Sequence, residues 1–249
     1  YATNGKTSTQ TKLIAFIDDA SRVITHGQFF FSENTDNLIV AMKSALYKRG
    51  IPQTLYVDNG SIYTCIEINQ ICARIGTILC HTPVRDGAAK GKIERFFRTV
   101  RDQFLLRQLD LSSLETLNRQ FHDWVEGEYN AREHSTILMK PIDRFGMDLE
   151  RIRFLDPMLA NDELFYVEQD RTVRKDNTFP LNNVRYECPR DLSGREIQAR
   201  FNRAKPDRIV VFYKNERMGE ATPLDFLAND RARLRPPTDT DTQNSNSQN

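Results

Sequence analysis

The sequence predicts an α/β domain followed by a small all-β barrel, and three observations carry that prediction. Up to Tyr129, short apolar runs alternate with segments whose apolar residues recur at helical spacing. After Leu164 the helical spacing disappears, and short strand-like runs are separated by Asn- and Asp-containing turns. Pro141 and Pro157 stand between the two regimes. A chain of 249 residues, 39% hydrophobic and 28% charged, is long enough to bury one substantial core and a second, smaller one.

Residues 1 to 12 are rich in Thr, Ser, Lys and Gly, which suits a hairpin turn or an exposed start. Leu13 to Ile17 and Val23 to Phe31, separated by Asp18-Asp19-Ala20-Ser21-Arg22, read as two adjacent antiparallel strands. Leu38, Met42, Ala45 and Leu46 recur at helical spacing between Thr35 and Arg49, with Gly50 at the C-cap position. Leu55 to Val57 is a short buried strand, Ile66 to Ile75 a helix closed by Gly76, and Thr77 to His81 another strand. Pro83 to Gly91, with Gly87, Ala88, Ala89 and Gly91, reads as a mobile loop. The helix expected from about Lys92 to Leu109 carries Ile93, Phe97, Val100 and Phe104 on one face, with Glu94 at the edge of that stripe. Leu117, Phe121, Trp124 and Val125 mark a further amphipathic helix, Leu114 to Tyr129. The strands expected beyond it are Phe165–Lys175, Thr178–Leu181, Val184–Cys188, Glu196–Phe201, Arg208–Tyr213 and Glu216–Ala221. Asp176-Asn177, Asn182-Asn183 and Lys214-Asn215 supply turn chemistry between several of them. From Pro236 the chain lacks apolar residues and reads as a disordered tail. The resulting domain expectation is a core over 1–112, a helical extension and linker over 113–160, a barrel over 161–227 and a tail over 228–249.

Lys and Arg number 35 against 34 Asp and Glu, so a net charge of +1 gives no global sign of a polyanionic partner and any basic surface is local. One local surplus is plain: Lys90, Lys92, Arg95, Arg98, Arg101 and Arg107 face only Glu94 and Asp102 in the segment 90–107, a net of +4. Such a run is either a solvated helix face or a surface that tracks a phosphate backbone. Cys65, Cys72, Cys80 and Cys188 form no CxxC pair, which argues against a zinc site and for free thiols in a reducing compartment. No apolar stretch approaches the ~20 residues that span a bilayer, so the expectation is a soluble, cytoplasmic protein with no membrane partner.

Two carboxylates stand out. Asp58 ends the apolar run Leu55-Tyr56-Val57 and is followed by Asn59-Gly60, the sequence of a tight turn at a strand's end. Glu94 sits in Gly91-Lys92-Ile93-Glu94-Arg95-Phe96-Phe97, with 35 residues between it and Asp58. Taken singly, Asp58 reads as an Asx-turn aspartate and Glu94 as half of an i,i+4 ion pair with Arg98. His81 and His134 form no His-x-x-x-His pair and read as structural or DNA-contacting.

Together with their flanks these residues resemble the DDE transposase and retroviral integrase superfamily, whose catalytic core has an RNase H-like mixed sheet with flanking helices. The resemblance extends over roughly residues 11 to 145. Its pieces are Ile17-Asp18-Asp19-Ala20-Ser21-Arg22, Val57-Asp58-Asn59-Gly60, Gly91-Lys92-Ile93-Glu94-Arg95, and Tyr129-Asn130 with Arg132 and His134-Ser135. It implies that Asp58 and Glu94 are the second and third of three carboxylates holding two divalent ions, Mg²⁺ or Mn²⁺, for phosphoryl transfer on DNA. It further implies that Lys90, Lys92, Arg95, Arg98 and Arg101 contact DNA, and that the working form is a homo-oligomer on element ends and target DNA, nucleoid-associated in a bacterial-type cell. In the family the first carboxylate comes from a strand before the one matched by Leu13–Ile17. Nothing acidic precedes Asp18, so the resemblance implies a truncated chain whose first aspartate lies upstream of Tyr1 and whose own activity is in doubt. Asp18 and Asp19 are the substitutes at hand, although past a strand's end turn-forming or Arg-paired carboxylates are the common case.

The segment from Leu164 resembles the small barrel that follows the catalytic core in transposases of the bacteriophage Mu type. Arg171-Thr172-Val173, Pro180-Leu181, Tyr186-Glu187-Cys188-Pro189, Gly194-Arg195 and Gly219-Glu220-Ala221 carry that likeness. Residues 164–224 hold 12 Lys and Arg against 9 Asp and Glu, which leaves an accessory DNA or assembly surface and a purely structural barrel both open. The expected function is metal-dependent nicking of 3′ ends and strand transfer in DNA integration. The alternatives are an RNase H-like nuclease, or a catalytically silent DNA-binding or assembly protein.

Overall fold

The computed structural model describes residues 1–58, 60, 65–81, 87–156, 161–203 and 205–224, without the side chains of 87–90 and 161. The loop residues 83–86 and the tail from Pro236 therefore lie outside the described residues. The chain divides into two compact units, Tyr1–Val167 and Glu168–Asn249. No helix among the described residues is long and apolar enough to cross a membrane.

In the first unit, β1 (Ala2–Asn4) and β2 (Thr7–Thr9) form a short hairpin. β3 (Lys12–Ile17) pairs antiparallel with β4 (Ile24–Phe30), from Lys12 opposite Phe30 to Ile17 opposite Ile24, with an irregularity after Phe16. Successive strand side chains point to opposite faces, and this ribbon uses both. Ile14, Phe16 and Phe30 pack into one core with Leu38, Met42, Ile68 and Ile71. Leu13, Ala15, Ile24 and Phe29 pack into another with Phe96, Phe104, Phe121 and Trp124.

The first core is closed by α1 (Thr35–Arg49) and α2 (Ile66–Ile75). Asn34 caps α1 by accepting from the Asn37 N–H, and α1 ends at Gly50. Gly50 has φ +86°, and an added Cβ there would lie 2.4 Å from Ile152 Cγ2 and 2.7 Å from the Arg153 carbonyl oxygen, so conformation and space both demand glycine. β5 (Thr54–Val57), α2 and β6 (Ile78–His81) form a βαβ crossover in which the strands pair in parallel. β3–β4 and β5–β6 are separate two-stranded sheets among the described residues.

The second core is closed by α3 (Gly87–Thr99) and α4 (Leu114–Trp124), each prolonged by a π-helical turn, Val100–Phe104 and Val125–Tyr129. Two details depart from the sequence reading. α3 begins at Gly87, inside the stretch expected to be loop, because Ala88 and Ala89 favour helix enough to offset the glycines. Phe96, 1% exposed, lies at the centre of the buried face, while Ile93 and Phe97 only flank it. α5 (Pro141–Gly146) follows, opened by a proline in its first turn.

The second unit is a six-stranded antiparallel sheet: β7 (Val167–Thr172), β8 (Thr178–Leu181), β9 (Val184–Glu187), β10 (Glu196–Phe201), β11 (Ile209–Tyr213) and β12 (Glu216–Pro223), in spatial order β7-β10-β11-β12-β9-β8. Arg174 N–H donates to the Thr178 carbonyl at 2.7 Å, bringing the two end strands together into a nearly closed barrel. Asn182-Asn183 and Lys214-Asn215 are two-residue turns with both φ positive, the geometry that matches the right-handed twist of a hairpin. Ile197, Ala199 and Phe201 are buried at alternate positions of β10, and Phe179, Leu181 and Val211 are buried on other strands of the same sheet.

Candidate nucleic-acid interface

Asp58 lies directly after β5, where its side chain accepts the Gly60 N–H at 2.9 Å. Glu94 lies on the exposed side of α3, and it makes no ion pair with Arg98 among the described residues. The i,i+4 pairing that would have made Glu94 merely structural is thus absent there. Arg95, Arg98 and Arg101 are exposed as well. Arg98 and Arg101 follow Glu94 by one and two turns, so α3 and its π-helical extension present toward solvent a carboxylate and guanidinium groups that have no ion pair among the described residues. Lys92 pairs with the Asp19 carboxylate, and the side chain of Lys90 is outside the described residues.

Asp18 and Asp19 both have structural occupations. Asp18 Oδ2 accepts from the backbone N–H of Ser21 at 2.8 Å and from its hydroxyl at 2.6 Å, and Ser21 is buried. Asp19 is exposed and engages Lys92. Carboxylate oxygens suit hard cations such as Mg²⁺ and Mn²⁺. Yet no group of three or more His, Cys, Asp or Glu able to hold a metal is found among the described residues, and two carboxylates alone do not close a two-metal cage.

Against the Lys92 and Arg95 side of α3 the molecule has a cavity of about 470 Å³ whose walls include Arg22, Lys92, Arg95, Tyr129, Arg132 and His134. Burial lowers the His134 pKa from its ordinary 6.5, and the nearby charges of Arg22 and Arg95 lower it further. Burial pushes the Tyr129 hydroxyl up to about 12, against the pull of the same two guanidinium groups. His134 Nδ1 accepts the Thr136 N–H at 3.2 Å, which leaves Nε2 as the protonated, donating nitrogen of the neutral ring. The sequence brought Arg22, Arg132 and His134 to notice as parts of motifs, without showing that they share one cavity with Lys92 and Arg95. His81 is exposed at the end of β6.

In the barrel, part of the cationic surplus is internally matched. Arg200 pairs with Glu168 at 2.6 Å and stacks 3.8 Å from the Phe212 ring, while Arg208 pairs with Glu220 at 2.6 Å. The four cysteines are free thiols, with Cys72 and Cys188 buried.

Residues 36–108 match the family model described as the TnsB C-terminal domain, and residues 162–219 match that of the Mu transposase C-terminal domain. Among curated proteins, the transposase for transposon Tn552 of Staphylococcus aureus is 27% identical over 232 residues, covering 82% of this chain and 47% of the relative. The transposase for insertion sequence element IS21 of Pseudomonas aeruginosa is 25% identical over 134 residues, covering 54% of this chain and 33% of the relative. The chain thus spans about half the length of the first of these, or less of the second. Of solved structures, the catalytic core domain of BIV integrase aligns at 16% identity with a TM-score of 0.47, over 57% of this chain and 89% of that one.

Proposed function

We propose, for a chain that carries segments of the TnsB and Mu transposase families, that it serves in DNA recombination as part of a DDE-type transposase. The reading is of a polynucleotidyl transferase that nicks element ends and joins the freed 3′-hydroxyls to target phosphodiesters, with Asp58 and Glu94 as two of its catalytic, metal-binding carboxylates. The single observation that supports it best is α3 with its π-helical extension, which presents exposed Glu94 beside exposed Arg95, Arg98 and Arg101, with no ion pair to Glu94 among the described residues.

A strand backbone lying along α3 meets Arg98 and Arg101, which neutralise phosphates without reading sequence. Asp58 is held at a strand terminus by its bond to Gly60, so it is oriented before any substrate arrives. Two divalent ions, Mg²⁺ or Mn²⁺, are the cofactors that suit these oxygen donors, and they supply charge neutralisation at the reacting phosphate when bound. The partners in this reading are element-end and target DNA and further copies of the protein, and the compartment is the cytoplasm. The domain division follows the same reading, with a catalytic core over 1–112, a helical extension over 113–160 and a barrel over 161–227.

The test is a joining assay with the natural-length protein, a labelled DNA end and a target plasmid, in Mg²⁺ or Mn²⁺. Asp58→Asn and Glu94→Gln should each abolish joining while leaving DNA binding in place. Joining that survives both substitutions sinks the site assignment. Cleavage without any joined product assigns a nuclease instead.

A further inference from the structure

We propose that the cavity walled by Arg22, Arg95 and Arg132 is a binding pocket for one phosphate of a nucleic-acid strand, held chiefly by the Arg22 and Arg95 guanidinium groups. The proposal rests on the nucleic-acid reading above and adds to it a discrete site, most of whose residues lie outside the basic run of α3.

The charges in the cavity are unequally matched. Lys92 is occupied by Asp19. Of the two acidic residues on the wall, Glu128 is occupied by Arg107 through bonds of 2.5 and 2.6 Å, with Arg132 reaching it only at 3.6 Å, and Glu133 is exposed to solvent with no ion pair among the described residues. Arg22 and Arg95 have no carboxylate partner among the described residues. Both line the cavity together with His134 and Tyr129, and both act electrostatically on these two groups.

Arg22 is the stronger argument. Its Nη1 is buried and has no hydrogen-bond partner among the described residues. An unsatisfied buried donor on a charged group is costly, and a turn of the guanidinium that brings Nη1 to an oxyanion in the cavity removes that cost. The backbone holds it there deliberately: Arg22 has φ +67°, a region that non-glycine residues rarely occupy, and its N–H is bonded to the Asp18 carbonyl at 3.0 Å. A planar guanidinium matches a phosphate through two parallel bonds, which a lysine cannot do. A volume of about 470 Å³ leaves room for the attached nucleoside against Tyr129.

Calorimetry on the whole chain tests the site with three probes: a thymidine dinucleotide bearing one phosphodiester, its neutral methylphosphonate analogue, and inorganic phosphate. The dinucleotide should bind, the methylphosphonate should bind at least about tenfold more weakly, and Arg22→Gln and Arg95→Gln should each cost the dinucleotide about tenfold. Lys6→Gln, an equal loss of charge in the β1–β2 turn, should leave it within about twofold. Arg95 is exposed on α3, so its substitution reports on the site even if Arg22→Gln unfolds the protein. Equal binding of the neutral analogue, or full affinity in a folded Arg95→Gln protein, would overturn the pocket. Tighter binding of inorganic phosphate than of the dinucleotide would overturn its assignment to a strand. Failure of the pocket alone leaves duplex binding by α3 intact. Dinucleotide binding that depends on Arg22 and Arg95, in a protein with no affinity for duplex DNA, upholds the pocket and removes the transposase reading.

Discussion

The side-chain amide of Asn130 satisfies both backbone groups of Ile24: its Oδ1 accepts the Ile24 N–H at 2.9 Å and its Nδ2 donates to the Ile24 carbonyl at 3.2 Å. Asn118, on α4, does the same for Phe29 at 2.7 and 3.0 Å. β4 pairs with β3 on one side, and on the other these two asparagines take the place of a neighbouring strand. Asn130 is fully buried, so its loss strands two polar groups of β4 away from water. Asn130→Leu should lower stability by about 2–4 kcal/mol, summing two unsatisfied groups, as measured by urea denaturation.

Gly27 lies between those two anchor points, and an added Cβ would sit 2.8 Å from Phe121 Cε1. Phe121 is itself fully buried among the rings of Phe29, Phe96, Phe104 and Trp124. Gly27→Ala should therefore destabilise by about 1–3 kcal/mol, although alanine suits a strand better than glycine does. A melting temperature equal to that of the parent protein would show that the helix shifts freely on the strand.

How much of this was legible depends on the range of the interaction. Gly50, Gly76 and the Asn182-Asn183 and Lys214-Asn215 turns act within a few residues, so the ends of α1 and α2 and the hairpins of the barrel follow directly from sequence. The π-helical turns did not. Phe96, Val100 and Phe104 recur every four residues, which drifts by about 40° per step around a regular helix, and a wider turn at Val100–Phe104 helps keep Phe104 in the core. The Asn130–Ile24 pairing spans 106 residues and the cavity joins Arg22 to His134, contacts that no local pattern encodes. Asp58 was visible because it sits at the end of a strand and Glu94 because it lies within a distinctive basic helical run, whereas their mutual geometry depends on the whole fold.

Asp18 and Asp19 should respond differently to substitution. Asp18 holds Ser21 by two bonds in a part-buried turn, so Asp18→Ala should lose about 1–2 kcal/mol. Asp19 makes an exposed pair with Lys92, and Asp19→Ala should leave the melting temperature unchanged. Joining activity that disappears in Asp19→Asn, with stability intact, would give Asp19 a metal-binding role instead.

Stability should fall in two separate pH windows. Burial lowers His26 below its ordinary 6.5, with a hydrogen bond to Gln28 opposing and the charge of Lys48 adding, and His134 is lowered too. A histidine whose folded pKa is depressed resists protonation only in the native state, so stability is full above pH 6.5 and declines as the pH falls through the folded value. Burial alone would raise Glu126, but its bond to Lys48 and the charge of Arg49 outweigh it and leave it lowered, so its contribution disappears only below about pH 4.5. Urea midpoints measured between pH 8 and 5 should drop, and His26→Gln should flatten that drop. A flat profile in the parent protein would contradict the burial of these rings.

Binding to duplex DNA should be governed by salt rather than by sequence. Arg98 and Arg101 are exposed and unpaired among the described residues, so each contact with a phosphate releases a counterion. Replacing either with Gln should weaken binding by a similar factor on unrelated duplexes and reduce the slope of log K against log salt by about 0.9. The two effects separate the causes. A backbone contact changes the slope and leaves sequence preference alone, whereas a base contact changes preference with little effect on the slope. Should Arg98→Gln alter affinity for one sequence and not another at constant slope, α3 would be reading bases, and its charge would have to be understood as positioning a recognition element rather than following the backbone.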